Sequence, residues 1–237
     1  MTQVATDAAH DTEHHDERLA HHFDHAQQQF DAGKLGIWIF LITEVLFFSG
    51  LFCAYAVYRS THPELFQWGH QFLSVQMGAI NTVVLLLSSL TMAWAVRCAQ
   101  LNNKKGLVLN LAVTLVCAFT FLVIKYFEYS GKISHGLVPG GGFDPAGVAA
   151  YGEYSGHAIK GEIPEQAGRF FSIYYTMTGL HGIHVIGGIV VIFWTMILAM
   201  KGRFDSKFYG QVDYVALYWH LVDLVWIYLF PLLYLIH

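Results

Sequence analysis

Residues 170–200 read FFSIYYTMTGLHGIHVIGGIVVIFWTMILAM, and this run decides the fold. It is apolar for far longer than a strand needs, and a helix crosses a hydrocarbon core with about 20 residues. Backbone groups inside lipid must be paired within their own segment, so the run is a transmembrane helix that tilts or protrudes at one end. Four more segments meet the same test, at Gly36–Tyr58, Leu73–Val96, Leu107–Tyr126 and Tyr214–Ile236. The expected fold class is therefore an all-α integral membrane protein, a bundle of five transmembrane helices. Trp38, Trp68, Tyr126, Tyr129, Tyr174, Tyr175 and Trp219 lie near proposed ends, where amphipathic rings favour the interface.

Composition agrees, because 55% hydrophobic and 13% charged residues are too apolar a balance for a soluble chain of 237 residues. The net charge of −4 comes largely from the N-terminal stretch, where seven of the 17 acids precede the first apolar segment. Nothing basic is clustered as a nucleic-acid surface requires, so no nucleic-acid partner is expected. Cys53, Cys98 and Cys117 are spaced widely within or beside apolar runs and read as small buried hydrophobes.

Residues 1–33 form a His- and acid-rich tail with too few apolar side chains to order itself, and lack the pattern of a signal peptide. We read it as disordered and cytoplasmic, and residues 34–237 as the membrane domain. The one long connection, about residues 130–168, is rich in Gly and Pro and is expected to be a flexible extracytoplasmic docking surface. Its Gly140-Gly141-Gly142 run lacks the Gly-Lys-Ser/Thr of a phosphate loop. No internal repeat points to a transporter built from paired halves.

Arg18, Lys34, Arg97, Lys104, Lys105, Lys201, Arg203 and Lys207 fall on one side of such a bundle. Arg59, Lys132, Lys160 and Arg169 fall on the other, with Lys125 at a helix end. This asymmetry places the N-terminus in the cytoplasm and the C-terminus outside.

The informative residues are the polar ones in the spans: Glu44, Glu128, His181, His184, His220 and Asp223. A charge near the bilayer centre costs about 2.5–3.5 kcal/mol on insertion scales, so each needs a partner or a neutral form. His181 and His184, like His220 and Asp223, are three apart, so each pair shares a helix face and the two polar faces can meet across a helix interface. Uncharged or hydrogen-bonded groups locking the bundle are the simplest reading, ahead of proton handling, lipid-headgroup binding or a metal site. A di-iron site would call for a Glu-x-x-His pattern, which is lacking here. Gly179, Gly182, Gly187 and Gly188 are expected to admit a neighbouring helix, and Asn81, Thr82, Ser88 and Ser89 to hydrogen-bond one.

Three stretches then carry a resemblance. Gly36-Ile-Trp-Ile-Phe-Leu-Ile-Thr-Glu44-Val-Leu-Phe-Phe48 resembles the glutamate-bearing helix of cytochrome c oxidase subunit III. Thr178-Gly-Leu-His181-Gly-Ile-His184-Val-Ile-Gly-Gly188 and Tyr218-Trp-His220-Leu-Val-Asp223-Leu-Val-Trp226 resemble its later helices in the family's order. Asn81-Thr82 and Phe127-Glu128-Tyr129 are similar to the helices between. The resemblance covers about residues 34–237 and implies a short, five-helix form in which the tail stands where longer members have two further helices. Without those, the family's lipid-filled cleft is incomplete unless another subunit supplies the missing arm.

The resemblance further implies a non-catalytic subunit of a haem-copper respiratory oxidase in a bacterial cytoplasmic membrane. Such a subunit packs on subunit I, alongside subunit II and other oxidase subunits or a supercomplex. It supports proton uptake, protects subunit I during turnover and binds phospholipids. Haem and copper would lie in the partner subunits, with no catalytic residue and no metal ligand on this chain. Glu44 within Thr43-Glu44 favours an aa3-type cytochrome c oxidase over a quinol oxidase. A nitric-oxide-reductase-associated homologue is the nearest alternative, and a di-iron membrane enzyme or a small transporter are alternatives of another class.

Overall fold

The computed structural model describes residues 23–156, 159–206 and 208–236. Helices are the only regular structure among them: α1 (Ala26–Thr61), α2 (Pro63–Gly69), α3 (Val75–Gln100), α4 (Lys104–Ile133), α5 (Ala146–Ser155), α6 (Ala167–Met200) and α7 (Gly210–Tyr234). Five of these, α1, α3, α4, α6 and α7, are long and apolar enough to cross a membrane, as expected for a multi-pass bundle.

Local chemistry sets several boundaries. Ser74 caps α3 by accepting from the Met77 amide, and Asn103 caps α4 by accepting from the Gly106 amide at 3.0 Å. Between those helices Asn102 takes φ 55°, a left-handed conformation that Asn tolerates, and so turns the chain within three residues. The resulting α3–α4 hairpin is the most extensive helix pairing, and α6 and α7 close a four-helix unit on it. Trp219 and Trp226 of α7 are fully buried at its centre.

By contrast, α1 leans chiefly on α7. Its buried side chains, Leu41, Phe48 and Tyr55, recur every seven residues and form one narrow seam, while most of its surface is exposed apolar area. At about 1.5 Å per residue its 36 residues reach beyond a core of about 30 Å. The excess lies at its start, so the helix takes in residues 26–33, which the sequence assigns to the tail. Packing explains that difference. The Phe30 ring lies 5.4 Å from Tyr209 and 6.0 Å from Tyr214, whose hydroxyl donates to the Phe30 carbonyl, and Lys34 pairs with Asp213 at 3.4 Å. The rest of the proposed tail, residues 1–22, lies outside the described residues.

The long connection also differs from expectation. Its first residues continue α4 to Ile133, and α5 occupies its middle. Two of its glycines serve close backbone approach. A Cβ on Gly147 would overlap the His135 carbonyl oxygen, and one on Gly168 would overlap that of Gly140. Phe143 then stacks on Phe171, whose neighbours Trp68, Phe72 and Phe170 form an aromatic layer at this end of the bundle.

Candidate functional site

Polar side chains inside the bundle form three separate groups. In the first, Glu44 sits three residues after Leu41 and four before Phe48, on the seam by which α1 meets the bundle. Its Oε2 lies 2.9 Å from His184 Nε2 on α6. His184 Nδ1 lies 2.8 Å from the Leu180 carbonyl oxygen, which can only accept, so Nδ1 carries a proton. Nε2 then faces Glu44 either as an acceptor from a protonated carboxyl or as an imidazolium donor to a carboxylate. Phe48 closes edge-on over the His184 ring at 4.9 Å, and Tyr218 donates to the His184 carbonyl.

A second group lies between α3 and α7. Trp226 donates to Thr82 at 3.1 Å, Trp219 donates to Ser88 at 3.0 Å, and His220 Nδ1 is 2.7 Å from Ser89 Oγ. The hydroxyl row expected on α3 is therefore engaged by α7. Asn81 is buried on α3 without a protein partner for its amide, and Asp223 has one unpartnered oxygen.

The two His-bearing faces, which their spacing would allow to meet, address different partners in the structure. Residues three apart on a helix point about 60° apart, enough to address different neighbours. His184 turns to α1, while His181 is fully buried between Phe121 at 5.5 Å and Trp226 at 5.3 Å, with neither ring nitrogen bonded to protein. The glycines also divide. Gly188 is needed, since a Cβ there would come within 2.6 Å of the Trp219 ring, and Gly187 faces Tyr218 at ordinary distance. Gly179 and Gly182 open onto free space and do not serve packing within this chain.

The third group is ionic. Glu128 receives Lys125 Nζ at 2.8 Å on one oxygen and Lys132 Nζ at 2.7 Å on the other. Tyr234 donates to the same carboxylate at 2.8 Å and Tyr174 at 3.0 Å, while accepting from Lys125 at 2.9 and 3.2 Å. All five side chains are buried, and with both lysines protonated two cations on one carboxylate leave the group one positive charge in excess. The Lys125 ammonium also lies 5.2 Å from the Trp226 ring, and that of Lys132 4.6 Å from Tyr174.

The sequence singles out Glu128 but sets Lys125 at a helix end and Lys132 on the outer surface; the structure buries both. Their spacing held the signal, because positions 125, 128 and 132 share one helical stripe. Among the described residues no three His, Cys, Asp or Glu side chains are grouped as metal ligands.

A family model described as cytochrome c oxidase subunit III matches residues 11–139 and 157–237. The chain belongs to that family. A cytochrome c oxidase subunit 3 of Thermostichus vulcanus is 29% identical over 216 residues, covering 90% of this chain and 92% of that one. A cytochrome bo(3) ubiquinol oxidase subunit 3 of Pseudomonas putida is 28% identical over 212 residues, covering 87% and 88%. A heme-copper oxidase subunit I+III of Aeropyrum pernix is 27% identical over 226 residues, covering 93% of this chain and 24% of its own length. As a haem-copper oxidase subunit III, the chain works within an oxidase complex. The stretch that the family model leaves between its two matched segments, residues 140–156, contains α5.

Proposed function

We propose that this chain is subunit III of an aa3-type cytochrome c oxidase, seated directly on subunit I, where it supports proton uptake and protects the catalytic subunit during turnover. The observation that carries this reading is the 2.9 Å contact between Glu44 and His184 at the margin of the bundle. Glu44 lies about ten residues into the apolar part of α1, near mid-membrane. Both side chains are partly accessible, at 17% and 19%, so the pair can be reached from outside the bundle, whereas the larger ionic group is buried. The exposed apolar surface of α1 around this pair is the area a membrane partner would cover. The subunit I+III name of the Aeropyrum relative favours subunit I as that partner.

The redox centres would lie in partner subunits. In this chain both His184 nitrogens and Nδ1 of His220 are already committed to protein groups. Two grooves flank the outer end of α1, one of about 370 Å³ reaching Arg169 and one of about 580 Å³ reaching Arg59. Apolar walls ending at a guanidinium suit a phospholipid, whose phosphate an Arg binds bidentately. Electron supply from cytochrome c is favoured by Glu44 and by the Thermostichus relative's name. The reading includes a bacterial cytoplasmic membrane location, with the N-terminus inside and the C-terminus outside.

Glu44→Ala tests the central claim. It should leave the haem spectrum and metal content of the oxidase intact but shorten its active lifetime during turnover. Glu44→Gln separates causes: rescue of the lifetime indicates a structural tie, and a lifetime like that of Ala indicates titration. Wild-type rate and lifetime in both assembled variants would refute the role of Glu44.

A further inference from the structure

Lys132 stands in the last turn of α4, where a lysine ordinarily extends along its aliphatic stem to water. Here it is fully buried and turns back to Glu128. The segment lying over that end of α4 is the one outside the family match. Tyr154 of α5 stands over Gly131, where an added Cβ would meet its ring at 3.1 Å, and Gly131 is three residues from Glu128 and adjacent to Lys132. Tyr154 also contacts the His135 ring at 5.0 Å.

The remaining contacts hold α5 in place. Gly147 is seated against the His135 carbonyl, and the buried Tyr151 packs on Phe72 at 5.7 Å while donating to the Phe72 carbonyl at 3.2 Å. At the segment's start Gly140 meets Gly168 of α6, and Phe143 stacks on Phe171 at 5.6 Å. The segment is thus bound to α4, to α6 and to the chain before α3. From these contacts we propose that residues 140–156 are a cap that keeps water at this membrane face from the Lys125–Glu128–Lys132 cluster.

Its physical effect follows from the dielectric. With water admitted, Lys132 regains a hydrated alternative and the attraction holding it to Glu128 is screened. Under the cap the three ions have only one another and the two tyrosine hydroxyls, so α4, α6 and α7 are locked together at this end. The Tyr151 phenol responds to the same surroundings: burial, followed by the negative Glu128, pushes it up to about 12.

Amine acylation of the purified, assembled oxidase with a water-soluble reagent, read by mass spectrometry, tests the cap, with exposed Lys160 as internal control. In the native complex Lys160 is modified while Lys125 and Lys132 are protected. Replacing residues 140–156 by a short Gly-Ser linker should raise Lys132 modification about ten-fold or more, as local opening becomes easy. Tyr154→Ala, which removes a largely exposed ring and leaves the Gly147 seat intact, should raise it to a lesser degree. Equal protection of Lys132 in every variant that assembles overturns the proposal, as does ready modification in the native complex. If the linker variant does not assemble, the Tyr154→Ala result decides.

Discussion

Glu44 and Glu128 are both carboxylates on apolar helices, yet their surroundings differ in kind. Glu44 has one partner, His184, at a seam one side chain wide, and its helix is otherwise exposed. Glu128 has four donors, from Lys125, Lys132, Tyr174 and Tyr234, supplied by three helices. The difference follows from where each helix sits. A marginal helix offers a carboxylate one neighbour; a helix within the four-helix unit offers it partners from several helices, which suits a fixed charge.

The strongest way to break this comparison is Glu128→Gln. It leaves two buried ammonium groups without an anion, and removing one partner of a buried pair costs about 3–5 kcal/mol. The variant subunit should be lost from the purified complex or unfold at markedly lower temperature. Lys132→Met sharpens the point, because Lys125–Glu128 remains as a neutral pair. Its unfolding temperature should fall by much less than that of Glu128→Gln.

Gly188→Ala should come next. The added methyl collides with the Trp219 ring in the four-helix unit, and overpacking of this kind costs about 1–3 kcal/mol. Thermal unfolding of the assembled oxidase, followed through loss of this subunit, measures it. Glu44→Gln should have a smaller effect on stability, since interhelical hydrogen bonds in membranes contribute about 0.6 kcal/mol on average. A drop as large as that of Glu128→Gln would erase the distinction between the marginal helix and the four-helix unit. Smallest of all is Gly182→Ala, which meets nothing within this chain and should shift the intrinsic stability by no more than about 0.5 kcal/mol. Loss of the subunit from the complex with unchanged stability would instead mark Gly182 as facing a partner.

Much of the site was legible before the structure, but unevenly. Glu44, His184, His220 and Asp223 stand out because each interrupts an apolar run. Lys125 and Lys132 sit near the end of one, where position along the chain suggests water, and only the folded neighbours show that water does not reach them. Spacing told which residues share a helical stripe but not which helix each stripe faces, so His181 and His184 parted company. The Gly-rich connection misled for a related reason. Glycine permits both mobility and close backbone contact, and Gly147 and Gly168 are used for the second.

The sequence by itself determined the five spans and the bundle, because hydrocarbon forces every backbone group to pair within its own segment and about 20 apolar residues declare that outcome locally. It also carried the family, through residues whose order along the chain is enough to recognise. Tertiary structure decided the partners: Glu44 with His184, the two lysines on Glu128, Ser89 beneath His220, and α5 over the end of α4. Those pairings join residues up to 140 positions apart. They depend on how each helix is rotated about its axis, and that rotation is settled by the packing of all the helices together.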